Sequence, residues 1–186
     1  KKKCVAVIPI RGSENKSDSV ALKKLGNKKV IDWTIDEVLK SKKISKIIIS
    51  TPDKKVIDYV NLKYKNIVTY NRDFKLARFG VNLDEALTDL FKNNRLEAEF
   101  EKIFVLFIEY PFRSWKYFDM ASNTMDIFKI DRVISVRQEN KKFYRHSGKS
   151  LIPIGSQFFL KQDKDQIFSE TGGIYLIKRG TMFKDK

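Results

Sequence analysis

The residues most able to do chemistry lie in Arg11-Gly-Ser-Glu-Asn-Lys16, where two cations flank a turn-prone Gly12-Ser13 pair directly behind the apolar run Val5–Ile10. Arginine and lysine side chains, with the backbone N–H groups of such a turn, can hold phosphate oxygens through charge-assisted hydrogen bonds. A triphosphate fits this chemistry. The loop is not a Walker loop, which needs Gly-Lys-Ser/Thr, and it lacks the three spaced glycines of a dinucleotide site. By itself it reads equally well as a solvated loop. His146 is the single histidine and Cys4 the single cysteine, so His or Cys metal clusters and internal disulfides are excluded. His146 reads as an exposed loop residue and Glu109 as a solvated charge.

A phosphate loop needs elements that present it. Short apolar runs at Val5–Ile10, Ile47–Ser50, Ile67–Tyr70, Ile103–Ile108, Val133–Val136 and Gly173–Ile177 predict strands. Between them, Val30–Leu39 carries Ile31, Ile35, Val38 and Leu39 on one helical face, and Leu83, Leu87, Leu90 and Phe91 share another. Asp53 is placed to cap a third helix bearing Val56 and Val60. This alternation predicts an α/β fold with a doubly wound, mostly parallel, Rossmann-like sheet. In such sheets ligands bind at the carboxyl ends of the strands, where Arg11 to Lys16 would lie. Residues 140–170 break the alternation and read as an irregular insert or hairpin. The aromatic run Phe112, Trp115, Tyr117 and Phe118 reads as helix core or a subunit contact.

At 186 residues one domain spanning 1–186 is expected. No apolar run approaches the roughly 18 residues of a membrane span, so no membrane partner is expected. Lys1–Lys3 and the apolar run after them lack a signal peptide's cleavage site, and an unpaired Cys4 fits the cytoplasm. The net charge of +15 raises nucleic acid as a partner. However, the cations are 29 Lys against 9 Arg spread along the whole chain, and no aromatic-rich basic motif accompanies them. Nucleic acid is therefore not the expected ligand. The chain stops soon after a strand with no closing helix, which predicts a further C-terminal segment.

Five ordered motifs narrow the reading. Ile8-Pro-Ile-Arg-Gly-Ser13 with Leu25-Gly26 and Ile31-Asp-Trp-Thr-Ile35 resembles the opening of the acylneuraminate cytidylyltransferase family. Ser50-Thr-Pro-Asp53, then Arg72 with Leu76-Ala77, then Pro111-Phe-Arg113, and finally Lys161-Gln-Asp with Glu170-Thr-Gly-Gly-Ile-Tyr175 resemble later motifs of that family in the same order. The resemblance implies a nucleotide-diphospho-sugar transferase-like fold. It also implies transfer of CMP from CTP to a nonulosonic, nine-carbon 2-keto sugar acid, with release of pyrophosphate. Arg11 and Lys16 would be catalytic, and Arg11, Gly12, Ser13, Asn15, Lys16 and Arg72 would bind the nucleotide. Arg145, Lys161 and Tyr175 would bind the sugar acid. Mg²⁺ as cofactor and a homodimer are implied too, although the family's Asp-x-Asp metal ligands would fall beyond residue 186, and no metal ligand is named in this chain.

The sequence also departs from that family. Its loop lysine falls on Asn15 and a later Lys-Asn pair on Val20 and Ala21. Its cytosine-reading glutamine falls on Phe107, and an aspartate falls on Phe79. Loss of hydrogen bonds to a base edge weakens discrimination between bases, so another nucleoside triphosphate is an alternative to CTP. The departures also leave a second reading: a catalytically impaired member acting as a sugar-acid-binding or partner subunit.

Overall fold

The structure, a computed structural model, describes residues 4–12, 19–78, 80–93, 99–154 and 167–182. It contains two compact units, Lys1–Ile134 with Gly172–Lys186, and Ser135–Thr171. The elements in chain order are β1 (Cys4–Pro9), β2 (Lys24–Leu25), β3 (Lys28–Lys29), α1 (Val30–Lys40), β4 (Ile44–Thr51), α2 (Lys54–Lys63) and β5 (Val68–Asn71). They continue with α3 (Leu83–Asn93), β6 (Lys102–Val105), α4 (Trp115–Phe128), β7 (Arg132–Glu139), β8 (Phe143–His146), β9 (Leu151–Ile154), β10 (Ile167–Lys178) and α5 (Arg179–Met182). No helix among the described residues is long and apolar enough to cross a membrane.

The main sheet runs β5-β4-β1-β6-β10-β7. β1 pairs in parallel with both β4 and β6, and β4 pairs in parallel with β5, whereas β10 runs antiparallel to β6. Strand side chains alternate between two buried faces. Ala6, Ile8, Ile49 and Phe104 pack with Ile31 and Ile35 of α1, Val56 and Val60 of α2, and Phe118 and Met125 of α4. Val5, Val7, Ile48, Ile103 and Val105 pack instead with Leu87, Leu90 and Phe91 of α3. Helices on both faces explain why these strands read as continuous apolar runs and not as alternating ones. The sheet is mixed α/β and mostly parallel, as the sequence predicts.

Helix ends are held by identifiable groups. Asp53 accepts from Lys55 N at 3.0 Å and starts α2. Ser114 caps α4, whose Trp115 N also donates to Glu37 of α1 at 2.9 Å. Two buried charges fasten helices to neighbouring elements, and both are paired. Asp32 of α1 accepts from Lys63 Nζ at 2.7 Å and from the Tyr59 and Tyr64 hydroxyls at 2.8 Å each. Lys102 of β6 donates to Ser122 of α4 and pairs with Asp126 at 2.7 Å.

The expected strand 103–108 stops at Val105. Leu106 N still donates to Val7 O at 3.0 Å, but the Phe107 carbonyl is taken by the Arg113 guanidinium and turns out of the ladder. The expected aromatic run divides: Phe118 is buried, Trp115 is partly buried against the core, and Phe112 and Tyr117 are exposed. In the second unit, β8 and β9 pair as an antiparallel hairpin with Arg145 opposite Ile152.

Candidate functional site

β1, β4, β5 and β6 are parallel, so the chain leaves all four at one edge of the sheet. Arg11 and Gly12 follow β1 there. Gly12 has φ +82°, and a Cβ on it would stand 3.2 Å from Asp53 Cβ, so only glycine both adopts this turn and lets it lie on the start of α2. The turn is fastened beneath: Ile10 N donates to Ser50 O at 2.9 Å, and Asp53 N donates to Thr51 Oγ1 at 3.1 Å.

Arg72 follows β5 and is 4% exposed. Its backbone N donates to Thr51 O at 3.1 Å, and its Nη2 reaches past β4 to donate to Ile10 O at 2.9 Å. Its Nε is buried and has no hydrogen-bond partner among the described residues. Burial first, and then the neighbouring Arg11 charge, push its pKa below the usual arginine range. Arg113 is likewise buried. It donates to Gly173 O at 2.7 Å, to Thr34 Oγ1 at 3.1 Å and to Phe107 O, joining α1, β10 and the loop after β6. Burial lowers its pKa to about 10, partly offset by Glu109.

Three buried side-chain atoms lack a hydrogen-bond partner among the described residues: Ser50 Oγ, Arg72 Nε and Arg113 Nε. All three belong to residues at this edge. A buried cation without a counter-ion costs several kcal/mol; Asp32 and Lys102 have their partners among the described residues, whereas the Nε atoms of Arg72 and Arg113 have none there. Buried orphan groups call for an explanation. An anionic ligand at this edge would supply one, because oxygens brought to Arg72 would offset its desolvation.

The residues expected from sequence are distributed as follows. Arg11, Gly12 and Arg72 are brought together. Ser13, Asn15, Lys16, Phe79 and Lys161 lie outside the described residues. Tyr175 is partly buried on β10 against the α3-side core, with the Arg132 guanidinium 5.9 Å from its ring centroid. Arg145 is exposed on β8 of the second unit. Glu109 is exposed, and His146, on β8 and not in a loop, is exposed as well. Sequence reasoning gave no role to Arg113 or Ser50, although both fall inside the motifs that carried the resemblance. Their burial is a tertiary property that the motifs do not express.

The described residues do not fit a Mg²⁺ site. That ion takes an octahedral set of oxygens, and no three His, Cys, Asp or Glu side chains come together among the described residues. Asp53, whose Cβ would stand 3.2 Å from a Cβ on Gly12, is already engaged as the cap of α2.

Residues 5–73 match the family model described as Cytidylyltransferase. No curated protein matches the chain by sequence. Among solved structures, the chain is similar to a CMP:2-keto-3-deoxy-manno-octonic acid synthetase complexed with CTP, at TM-score 0.71 and 14% identity, covering 97% of this chain and 76% of that one. It is also similar to a 4-diphosphocytidyl-2C-methyl-D-erythritol synthase from Anaerococcus prevotii, at TM-score 0.71 and 17% identity, covering 97% and 73%. A further 4-diphosphocytidyl-2C-methyl-D-erythritol synthase gives TM-score 0.65 and 14% identity, covering 97% and 77%. The chain is thus a mixed α/β protein with the nucleotide-diphospho-sugar transferase-like fold of these enzymes, and the cytidylyltransferase match runs from β1 through β5.

Proposed function

We propose that this protein is a cytidylyltransferase that activates a sugar acid by transferring CMP from CTP. The observation that carries the reading is the buried Arg72, whose Nε has no hydrogen-bond partner among the described residues and which is set against the Arg11–Gly12 turn within the stretch that matches cytidylyltransferases. In the reaction, an acceptor hydroxyl oxygen attacks the α-phosphorus and the bond to the β-phosphate oxygen breaks. Pyrophosphate leaves, and the hydroxyl proton passes to solvent. Such a displacement needs alignment and charge neutralisation more than covalent help. Arg11 and Arg72 supply two of those charges, with Lys16, Ser13 and Asn15 completing the nucleotide loop. The acceptor is read as a nonulosonic, nine-carbon 2-keto sugar acid, with Arg145, Lys161 and Tyr175 as its contacts. The resemblance in the Lys161 and Tyr175 motifs supports this choice.

A specific observation favours a second reading. Phe107 packs partly buried against the α3-side core and offers no amide to a base edge, so transfer from CTP would be inefficient and the protein would act as a binding subunit. Pyrophosphate release separates the two. Wild type with CTP, Mg²⁺ and a nine-carbon 2-keto sugar acid is expected to release pyrophosphate, and Arg11→Ala to lose about a hundredfold of the rate. A wild type that is silent with every triphosphate yet binds the acid supports the second reading. A cytoplasmic setting, where nucleoside triphosphates are available and Cys4 stays reduced, accords with either.

A further inference from the structure

The same sheet edge has a second half with different chemistry. Over β5, β4 and β1 it is cationic, with Arg72 and Arg11. Over β6 and β10 it is aromatic. The antiparallel pairing begins with Leu176 opposite Phe104, so the β10 residues just before it, Gly173 among them, lie toward the loop that leaves β6, where Arg113 donates to Gly173 O. Gly172 has φ +68°, and a Cβ built on it would collide with the Tyr110 ring at Cε2, Cζ and Oη. A strand glycine marks a place where something approaches the backbone closely, and here that is Tyr110.

The loop that carries the ring is tied down through its backbone. Tyr110 N donates to Phe107 O at 3.4 Å, and Arg113 ties the same Phe107 carbonyl to Gly173 O and to Thr34. One side of the ring is pressed on Gly172, yet Tyr110 remains 46% exposed. A large aromatic fixed by its loop and open on its outer side is a preorganised surface, since little rotamer freedom is left to lose when a ligand settles on it.

We propose that Tyr110 is a specificity-determining residue of the acceptor subsite, a platform on which the C–H face of the acceptor sugar lies while its nucleotide partner occupies the Arg11–Arg72 half. Gly172 makes the platform possible, and Arg113 positions it. The inference takes the acceptor's identity from the function proposed above, but the residue and its geometry are its own.

Saturation-transfer NMR with two probes, an eight-carbon and a nine-carbon 2-keto sugar acid, tests it. Irradiation of wild-type aromatic protons is expected to transfer to the sugar ring protons of at least one acid. Tyr110→Phe should keep that transfer. Tyr110→Ala should lose most of it and weaken binding of the acid about tenfold, with CTP affinity unchanged. Gly172→Ala, which must push the ring away, should behave like Tyr110→Ala. Equal transfer from wild type and Tyr110→Ala, or no transfer to either acid, would overturn the proposal. CTP titration reads the nucleotide half separately: CTP binding to wild type with sugar transfer that does not depend on Tyr110 rejects the platform alone, and Tyr110-dependent transfer without CTP binding rejects the transferase reading alone.

Discussion

Arg72 and Asp32 are both buried charges, and opposite predictions follow from their partners. Arg72 meets two carbonyls and no carboxylate among the described residues. Replacing an uncompensated buried charge with an apolar side chain of similar length is neutral to stabilising. Arg72→Met should therefore leave thermal unfolding unchanged or raise stability by about 1 kcal/mol, read by circular dichroism melting. Asp32 instead accepts from Lys63, Tyr59 and Tyr64. Burial opposes its ionisation, but these hydrogen bonds outweigh it and hold its pKa below the ordinary carboxylate value. A carboxylate with a depressed folded pKa stabilises above its unfolded pKa and loses that contribution as pH falls through the folded one. Asp32→Asn should accordingly cost about 3 kcal/mol at neutral pH, with the gap to wild type closing below about pH 4. Denaturant titrations across that range check it. Arg72 could be found in the sequence because its motif resembled a known one. Asp32 lay in a quoted motif too, but nothing in a linear pattern shows that Tyr59 and Lys63 of α2, with Tyr64 just past its end, converge on it.

The strands and helices were readable wherever burial imposed a clean period. α1 buries Ile31, Ile35 and Val38 and α3 buries Leu87, Leu90 and Phe91 as the spacing predicts, but Leu39, expected on the α1 face, is exposed. Where a local hydrogen bond overrides the period, the sequence misleads. The apolar run to Ile108 continues past Val105 although the ladder ends, because Arg113 captures Phe107 O. The β2–β3 hairpin around Gly26 is only two residues per strand, too short to show alternation. Asp53 was identifiable as a cap because the oxygen-bearing side chain stands just before a helical period. Asp53→Ala should cost about 1 kcal/mol through the lost bond to Lys55 N. Since Gly12 lies against Asp53 Cβ, which alanine retains, the substitution should leave CTP affinity within about twofold, measured by calorimetry beside the melting curve.

Across the whole chain, the alternation of apolar runs was enough to predict a parallel α/β sheet, and charge and cysteine content were enough to set aside disulfides and internal metal clusters of His or Cys. Association is less legible, because an exposed apolar face looks like a core face until the fold is known. On α4, Tyr117, Met120, Ile127 and Phe128 are exposed, and we propose a homodimer. Light scattering at micromolar concentration should give twice the 21.8 kDa chain mass, and a monomer there would reject the dimer without touching the nucleotide site. That site is tested most directly by equilibrium titration of CTP with Mg²⁺ into wild type and Arg72→Met, both verified as folded. Saturable binding to wild type that weakens tenfold or more in Arg72→Met is the expected result. Equal affinity in the two proteins, or no binding to wild type, would contradict a triphosphate site at this sheet edge.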